Sequence, residues 1–374
     1  MKLVLLFLIT MFLSCSNKPG AEEVVPVKPE ADDTELFSKS IREIVDTIFP
    51  NKNVFIGCTI DYNKIETKAG EILDREFSYV TPGLYFKQSR VHPKPGKWNW
   101  EECDGWVQHC LENNQVIRMH SPICPQCSTW AKDDNRTAEE LEINMTEYMT
   151  AVCKRYNGES NVLWMDVVNE TINADGSWFG PETGTDSWEN PWPIIGFDES
   201  DSLQAPLYIE KAFRIANKFA PDIKQIINEH CFTKEAWEKM KKLVMYLRNK
   251  GIRVDGLGWQ AHVEVGWEKI TDNLEYLGEI VDWCHQNDLE FHITEFNVWL
   301  KPKNENKLNE QANTFTSIIK TVLDRNASGK IGINFWKVSA INSMKPTYNG
   351  SLYNNDFIPN PAYEAVKELL ISYK

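Results

Sequence analysis

From residue 36 onward, short apolar runs alternate with segments whose apolar residues recur every three or four positions. The runs 54–61, 78–86, 116–122, 162–170, 224–229, 255–262, 289–297 and 331–339 are bounded by polar or turn residues, which suits buried parallel strands. Between them, 69–77, 100–114, 138–156, 207–220, 234–250, 270–287 and 310–326 predict helices. In 207–220, for example, Ala212, Phe213, Ala216, Phe219 and Ala220 share one helical face. Gly251 fits a helix stop after Lys250, and a last helix over 361–373 opens with Pro361 behind Asn360. Eight strands, each followed by a helix, predict a single-domain α/β fold, the (β/α)8 TIM barrel. A doubly wound sheet is the competitor, but it calls for a Gly-rich phosphate loop after its first strand. Here that strand runs into Thr59-Ile60-Asp61-Tyr62. The longest interruption, 171–206, contains Trp178, Trp188 and Trp192 and falls on the active-site rim of a barrel.

The 374 residues are 42% hydrophobic and 25% charged, which excludes a mostly disordered chain and a small disulfide scaffold. Lys+Arg 40 against Asp+Glu 54 gives a net charge of −14, so no nucleic-acid partner is expected, while neutral sugars stay open. The N-terminus reads as targeting, not fold. Met1-Lys2 precedes an apolar run over 3–13, too short to span a bilayer, and then Ser14-Cys15. This resembles a bacterial lipoprotein signal, although Phe12 and Leu13 depart from its commonest form; an ordinary cleaved signal is the alternative. The expectation is a signal over 1–14, lipid on Cys15, a flexible tether over 15–35 and the barrel over 36–374. The chain would then be exported and held at a bacterial membrane, on the cell surface or in the periplasm, by its lipid alone. Cys124-Pro-Gln-Cys127 has C-x-x-C spacing, but no second such pair exists, so a disulfide or two loop thiols are expected.

Two strand candidates end in glutamate. The fourth reads Trp164-Met165-Asp166-Val167-Val168-Asn169-Glu170, the seventh Ile293-Thr294-Glu295-Phe296-Asn297. Both would stand at the C-terminal mouth of a barrel. Glycoside hydrolysis uses such a pair: one carboxyl group protonates the departing oxygen, and the other attacks the anomeric carbon or activates water. One glutamate at a strand end reads equally well as a cap or salt bridge. Two, at strands four and seven, point to catalysis.

Val167-Val168-Asn169-Glu170, Ile293-Thr294-Glu295 and Gln260-Ala261-His262 together resemble the signatures of glycoside hydrolase family 10, the endo-β-1,4-xylanases. Further matches are Arg118-Met119-His120, Asn228-Glu229-His230, Phe335-Trp336-Lys337-Val338-Ser339 and Pro359-Asn360-Pro361-Ala362-Tyr363, so the resemblance covers 40–374. It implies a retaining double displacement, with Glu170 as acid/base and Glu295 as nucleophile, carboxyl groups about 5 Å apart. It also implies that Asn169 bonds the sugar 2-hydroxyl and that His262 bonds Glu295 and keeps it ionised. Gln260 lies two residues before His262 on the same strand face. Lys87, His120, Asn228 and Trp336 complete the implied substrate side. No metal or other cofactor is needed, and a monomer is expected.

The departures are equally specific. Gly83, Leu84, Cys124 and Met344 stand where the family usually has Glu, Asn, Trp and Trp on the glycone side, and Asn297 stands where Asp is usual. Tyr85, Phe86, Trp299 and the loop 171–206 are candidate replacements for that surface. The reading is an endo-1,4-β-xylanase-like hydrolase of β-linked polysaccharide or oligosaccharide. One alternative keeps the mechanism and changes or decorates the sugar. The other is a non-catalytic glycan-binding lipoprotein, which would have no need of a matched acid and nucleophile.

Overall fold

The computed structural model describes residues 33–181, 189–231, 233–302, 307–342 and 347–374. Among these residues nine strands form: β1 Val54–Cys58, β2 Tyr79–Val80, β3 Val116–Met119, β4 Val162–Asn169, β5 Lys224–Glu229, β6 Gly256–Trp259, β7 His262–Glu264, β8 Glu290–Trp299 and β9 Ile331–Phe335. Every pairing among them is parallel, in the order β6-β5-β4-β3-β2-β1-β9-β8-β7, and β6 also pairs with β8. That last ladder, Gly256↔Glu290 through Trp259↔Ile293, closes eight strands into a barrel and leaves β7 as a ribbon on the rim. The (β/α)8 fold expected from the sequence is therefore the observed one.

The helices are α1 Asp33–Ser38, α2 Ile41–Ile48, α3 Lys68–Glu76, α4 Gln88–Val91, α5 Glu101–Glu112, α6 Ala138–Tyr156, α7 Leu207–Phe219, α8 Lys234–Asn249, α9 Asn273–Gln286, α10 Leu308–Leu323 and α11 Pro361–Ile371. Each large helix has the bounds expected from periodicity to within a few residues. Helices α1, α2 and α4 were not anticipated. Helix α1 makes Asp33, Thr34 and Glu35 helical where a tether was expected. Helix α2 opens on a capping box, Ser40 with Glu43, a signal that was legible in the sequence.

Two strand expectations need correction. The run 78–86 is strand only at Tyr79–Val80. Pro82 has no N–H for a ladder, and the chain turns there, with Tyr85 N–H bonded to Pro82 O at 3.0 Å. The run 255–262 breaks at Ala261, whose φ is +55°. His262 then starts β7 and pairs with Asn297 on β8. Gln260 thus follows the end of β6 while His262 opens β7, so the two do not share one strand face.

Candidate active site

Glu170 follows the last residue of β4 in a left-handed conformation, φ +57°, a strained state for a non-glycine residue that recurs at active sites. Glu295 lies within β8, inside the register shift between Ile293 and Phe296. Such bulges re-aim a side chain out of the regular pleat. Both carboxylates are buried, at 7% and 4% exposure. Three amides link them. Gln260 Nε2 donates to Glu170 Oε1 at 3.0 Å and to Asn169 Oδ1 at 3.2 Å. Asn228 Nδ2 donates to that same Asn169 oxygen at 2.7 Å and to Glu295 Oε1 at 3.0 Å. Thr294 Oγ1 donates to Asn228 Oδ1 at 2.6 Å, which fixes the amide's orientation. Asn169 Nδ2 and Gln260 Oε1 remain buried without a protein partner.

Glu295 also faces two imidazoles: His262 Nε2 lies 3.4 Å from Oε2 and His120 Nε2 lies 3.6 Å from Oε1. Burial alone would raise the Glu295 carboxyl, but His120, His262 and Lys87 outweigh it and hold the group well below the ordinary carboxylate range. Each histidine is fixed from behind. His120 Nδ1 lies 2.8 Å from Asp166 Oδ2, and Asp166 is clamped by Arg118 through Nε at 2.7 Å and a second guanidinium nitrogen. His262 Nδ1 lies 3.1 Å from Asn297 Oδ1. Both Asn297 amide protons go to carbonyls, Trp336 O at 2.8 Å and Gly350 O at 3.0 Å, so Oδ1 must accept and His262 Nδ1 must donate.

The profile for glycosyl hydrolase family 10 matches residues 45–369. The chain belongs to that family. Endo-1,4-beta-xylanase B of Thermotoga neapolitana is 26% identical over 314 residues, spanning 80% of this chain and 82% of that protein. Endo-1,4-beta-xylanase 3 of Hypocrea jecorina is 24% identical over 342 residues, 90% of this chain and 88% of that one. Among solved structures, native xylanase 10B of Thermotoga maritima superposes with a TM-score of 0.76 at 26% identity, covering 89% of this chain and 98% of the other. Xylanase 10B of Thermotoga petrophila in complex with xylobiose gives 0.76 at 25% identity, covering 89% and 97%.

Within this family 10 chain, Glu170, Glu295, Asn169, Asn228, Gln260, His262 and His120 are gathered into one centre. Lys87, buried at the start of α4, touches Gln126 Oε1 and lies near enough to stabilise the Glu295 charge. Trp336 packs edge-on against His120, ring centroids 5.4 Å apart. Cys15 and Met344 lie outside the described residues. The eight described cysteines are all free and buried, so Cys124 and Cys127 are loop thiols.

Four supporting residues had no role assigned from sequence: Arg118, Asp166, Glu229 and His230. Charged residues in the middle of apolar strands were the available signal, since buried charges are paired. Glu229 accepts from the Thr171 backbone N–H at 2.8 Å and from Ile172 N–H at 3.3 Å, so it pins the segment that leaves Glu170. Burial pushes its carboxyl up to about 8. His230 Nε2 lies 3.4 Å from Glu170 Oε1.

The expected replacement wall is corrected in part. Phe86 is fully buried against Tyr156, centroids 5.2 Å apart, and Tyr85 is buried with its hydroxyl accepting from Tyr62 N–H at 2.9 Å. Trp192 is buried and donates to Cys124 O at 3.1 Å, while Trp178 donates to Leu203 O at 3.3 Å. Phe86, Tyr85 and Trp192 are thus packed inside the structure, while Trp178 is half-buried. Trp188 lies outside the described residues. Trp299 stacks on His262, centroids 6.1 Å apart.

Proposed function

We propose that the protein is a retaining β-glycosidase that cleaves β-1,4-linked xylan or a related, substituted β-glycan by double displacement. The observation that carries this reading is the amide bridge between Glu170 and Glu295, with an uncommitted Asn169 Nδ2 at its middle. The names of the relatives support the sugar class.

In the first step Glu170 gives its proton to the glycosidic oxygen while a Glu295 oxygen bonds the anomeric carbon and the C–O bond to the leaving group breaks. Water then attacks the same carbon, Glu170 takes back a proton, and Glu295 leaves. The side-chain contacts of Glu170 from Gln260 and His230 both fall on Oε1, which leaves Oε2 for the proton transfer. Asn169 Nδ2, unpartnered, is available to a sugar hydroxyl and holds it where charge develops. Glu295, held ionised, is a ready nucleophile.

Two experiments test the assignment. Proton NMR of the first product is expected to show the β-anomer; the α-anomer rules out double displacement. Glu295→Ala is expected to lose activity by several orders of magnitude on every substrate. Glu170→Ala is expected to lose it on xylo-oligosaccharides but to keep much of it on aryl glycosides with acidic leaving groups, which need no proton. Equal losses for both substrate types in Glu170→Ala would remove its role as acid.

A substituted sugar is favoured by one observation. A Cβ added at Gly83 would meet only Thr59 Cγ2, at 3.5 Å, and neighbouring Leu84 is exposed. The glycone wall is therefore open at this point, where relatives usually carry a polar side chain. kcat/KM on linear xylo-oligosaccharides is expected to rise little with each added glycone-side xylose. A steep rise would contradict it. The proposed lipid anchor at Cys15 rests on sequence alone, and Cys15→Ala is expected to release the chain from the membrane fraction.

A further inference from the structure

Beside the catalytic centre lies a cavity of about 720 Å³ between the loops that follow β5 and β6. Its walls are largely aromatic and aliphatic: Trp237, Trp259, Trp267, Tyr276, Ile270 and Leu277. The tryptophans form a continuous surface, with Trp237–Trp259 centroids 6.3 Å apart and Trp259–Trp267 5.2 Å apart. His262 lines one side. Cys231 lines another and also lines a smaller cavity of about 250 Å³ that begins at Glu170. The two cavities thus share Cys231 as a wall, one bordered by the candidate acid and the other by the imidazole that faces Glu295.

The polar side chains around this cavity are already engaged. Thr233 Oγ1 bonds Ala174 O and accepts from Ala236 N–H. Asn273 Nδ2 donates to Trp267 O at 3.0 Å. Glu264 pairs with Lys301 at 2.8 Å. The Lys234 ammonium sits over Tyr276, 4.8 Å from its centroid. Both His262 ring nitrogens face Asn297 and Glu295. A sugar ring placed here would exchange water for ring faces and leave hydroxyls unmatched. The catalytic centre is the opposite case, with Asn169 Nδ2 and Gln260 Oε1 unpartnered.

We propose that this cavity is a subsite for an aromatic group carried on the leaving-group side of the substrate, an aryl aglycone or an aromatic acyl substituent. Its size suits such a group, and ring-on-ring contact is its available chemistry. The proposal rests on the reading of Glu170 as the acid.

The test compares methyl, benzyl and 3-phenylpropyl β-xylobiosides, whose leaving alcohols differ little in acidity. The better phenyl-bearing glycoside is expected to exceed the methyl glycoside in kcat/KM by about tenfold or more, the effect of burying a ring. Trp267→Ala is expected to bring that ratio near one. Ile270→Glu, at an exposed mouth position, is expected to do the same, and it stands in should Trp267→Ala not fold. Equal rates for all three glycosides, or a ratio that both variants leave intact, would overturn the subsite. Failure to cleave any of them overturns the hydrolytic reading instead. Calorimetric titration of the wild-type protein then decides the cavity: binding of a phenyl-bearing xylobioside but not the methyl one supports it, and equal or absent binding overturns it.

Discussion

Glu295 carries charge at a position where burial by itself would neutralise it, and His262 is one of the groups that reverse the balance. Since the carboxyl is held below its ordinary value of 4.5, the ionised form, the one the proposed nucleophile needs, persists as pH falls through that value. His262→Asn removes part of the stabilisation, so Glu295 protonates at higher pH. The acid limb of the kcat/KM profile is expected to move up by about one pH unit or more; an unmoved limb would show that His262 does not act on Glu295. Glu229 has the opposite sign. Its folded value of about 8 lies above the ordinary 4.5, so the folded state keeps a proton that the unfolded chain has lost. The associated stability is full below the ordinary value and drains away as pH rises towards about 8. Glu229→Gln is expected to flatten the decline in melting temperature across that window. A decline of equal slope in both proteins would show that Glu229 is not its source.

The proposed catalytic centre depends on how closely three strands approach one another. At Gly258 on β6, an added Cβ would lie 2.6 Å from Asn228 Oδ1 and 2.7 Å from Thr294 Cγ2. Those are the two groups that orient the amide bridge, on β5 and β8. Gly258→Ala is therefore expected to displace Asn228 and cut kcat/KM about 10- to 100-fold, the range set by sub-ångström misplacement of catalytic groups. The far-UV circular dichroism is expected to stay native. Near-normal activity in a folded Gly258→Ala protein would show that the bridge tolerates movement. The left-handed Ala261 plays a related part. It turns the chain between β6 and β7 and lets His262 approach Glu295 from the rim ribbon, while Gln260 stays with Glu170.

Across the whole molecule, the chain's described ends are tied together on the barrel's outer layer. Glu76, at the end of α3, is 2% exposed. It accepts from Ile41 N–H in α2 at 3.0 Å and from the Tyr363 hydroxyl in α11 at 3.0 Å, and it pairs with Arg75 at 2.7 Å. One carboxylate thus joins three helices far apart in sequence. Glu76→Ala leaves two buried donors unpaired and is expected to cost about 2–4 kcal/mol in urea unfolding. Activity well below the midpoint is expected to be unchanged, because the clamp does not touch the site. A stability loss below about 0.5 kcal/mol would show that water replaces the clamp, since surface contacts have effects of that size.

The strand-helix alternation and the barrel it implies were determined by sequence, because period is a local property; Glu170 directly follows β4 as expected, but Glu295, expected at a strand end, lies inside β8. Asn169, Asn228, Gln260 and His262 were legible as separate motifs. Their joining into one bridge was not, because Asn228 and Glu295 lie 67 residues apart in the chain and meet only when β5, β6 and β8 close. The same limit hid the roles of Glu229 and of the Asp166–Arg118 clamp, whose partners are on other strands. It also made Phe86 and Trp192 look available for sugar stacking, since a ring's exposure depends on what the rest of the fold packs against it. Local pattern sets which elements form and which chemistry they carry. Barrel closure sets distance, burial and charge, and through them which carboxyl stays ionised and which ring faces the substrate.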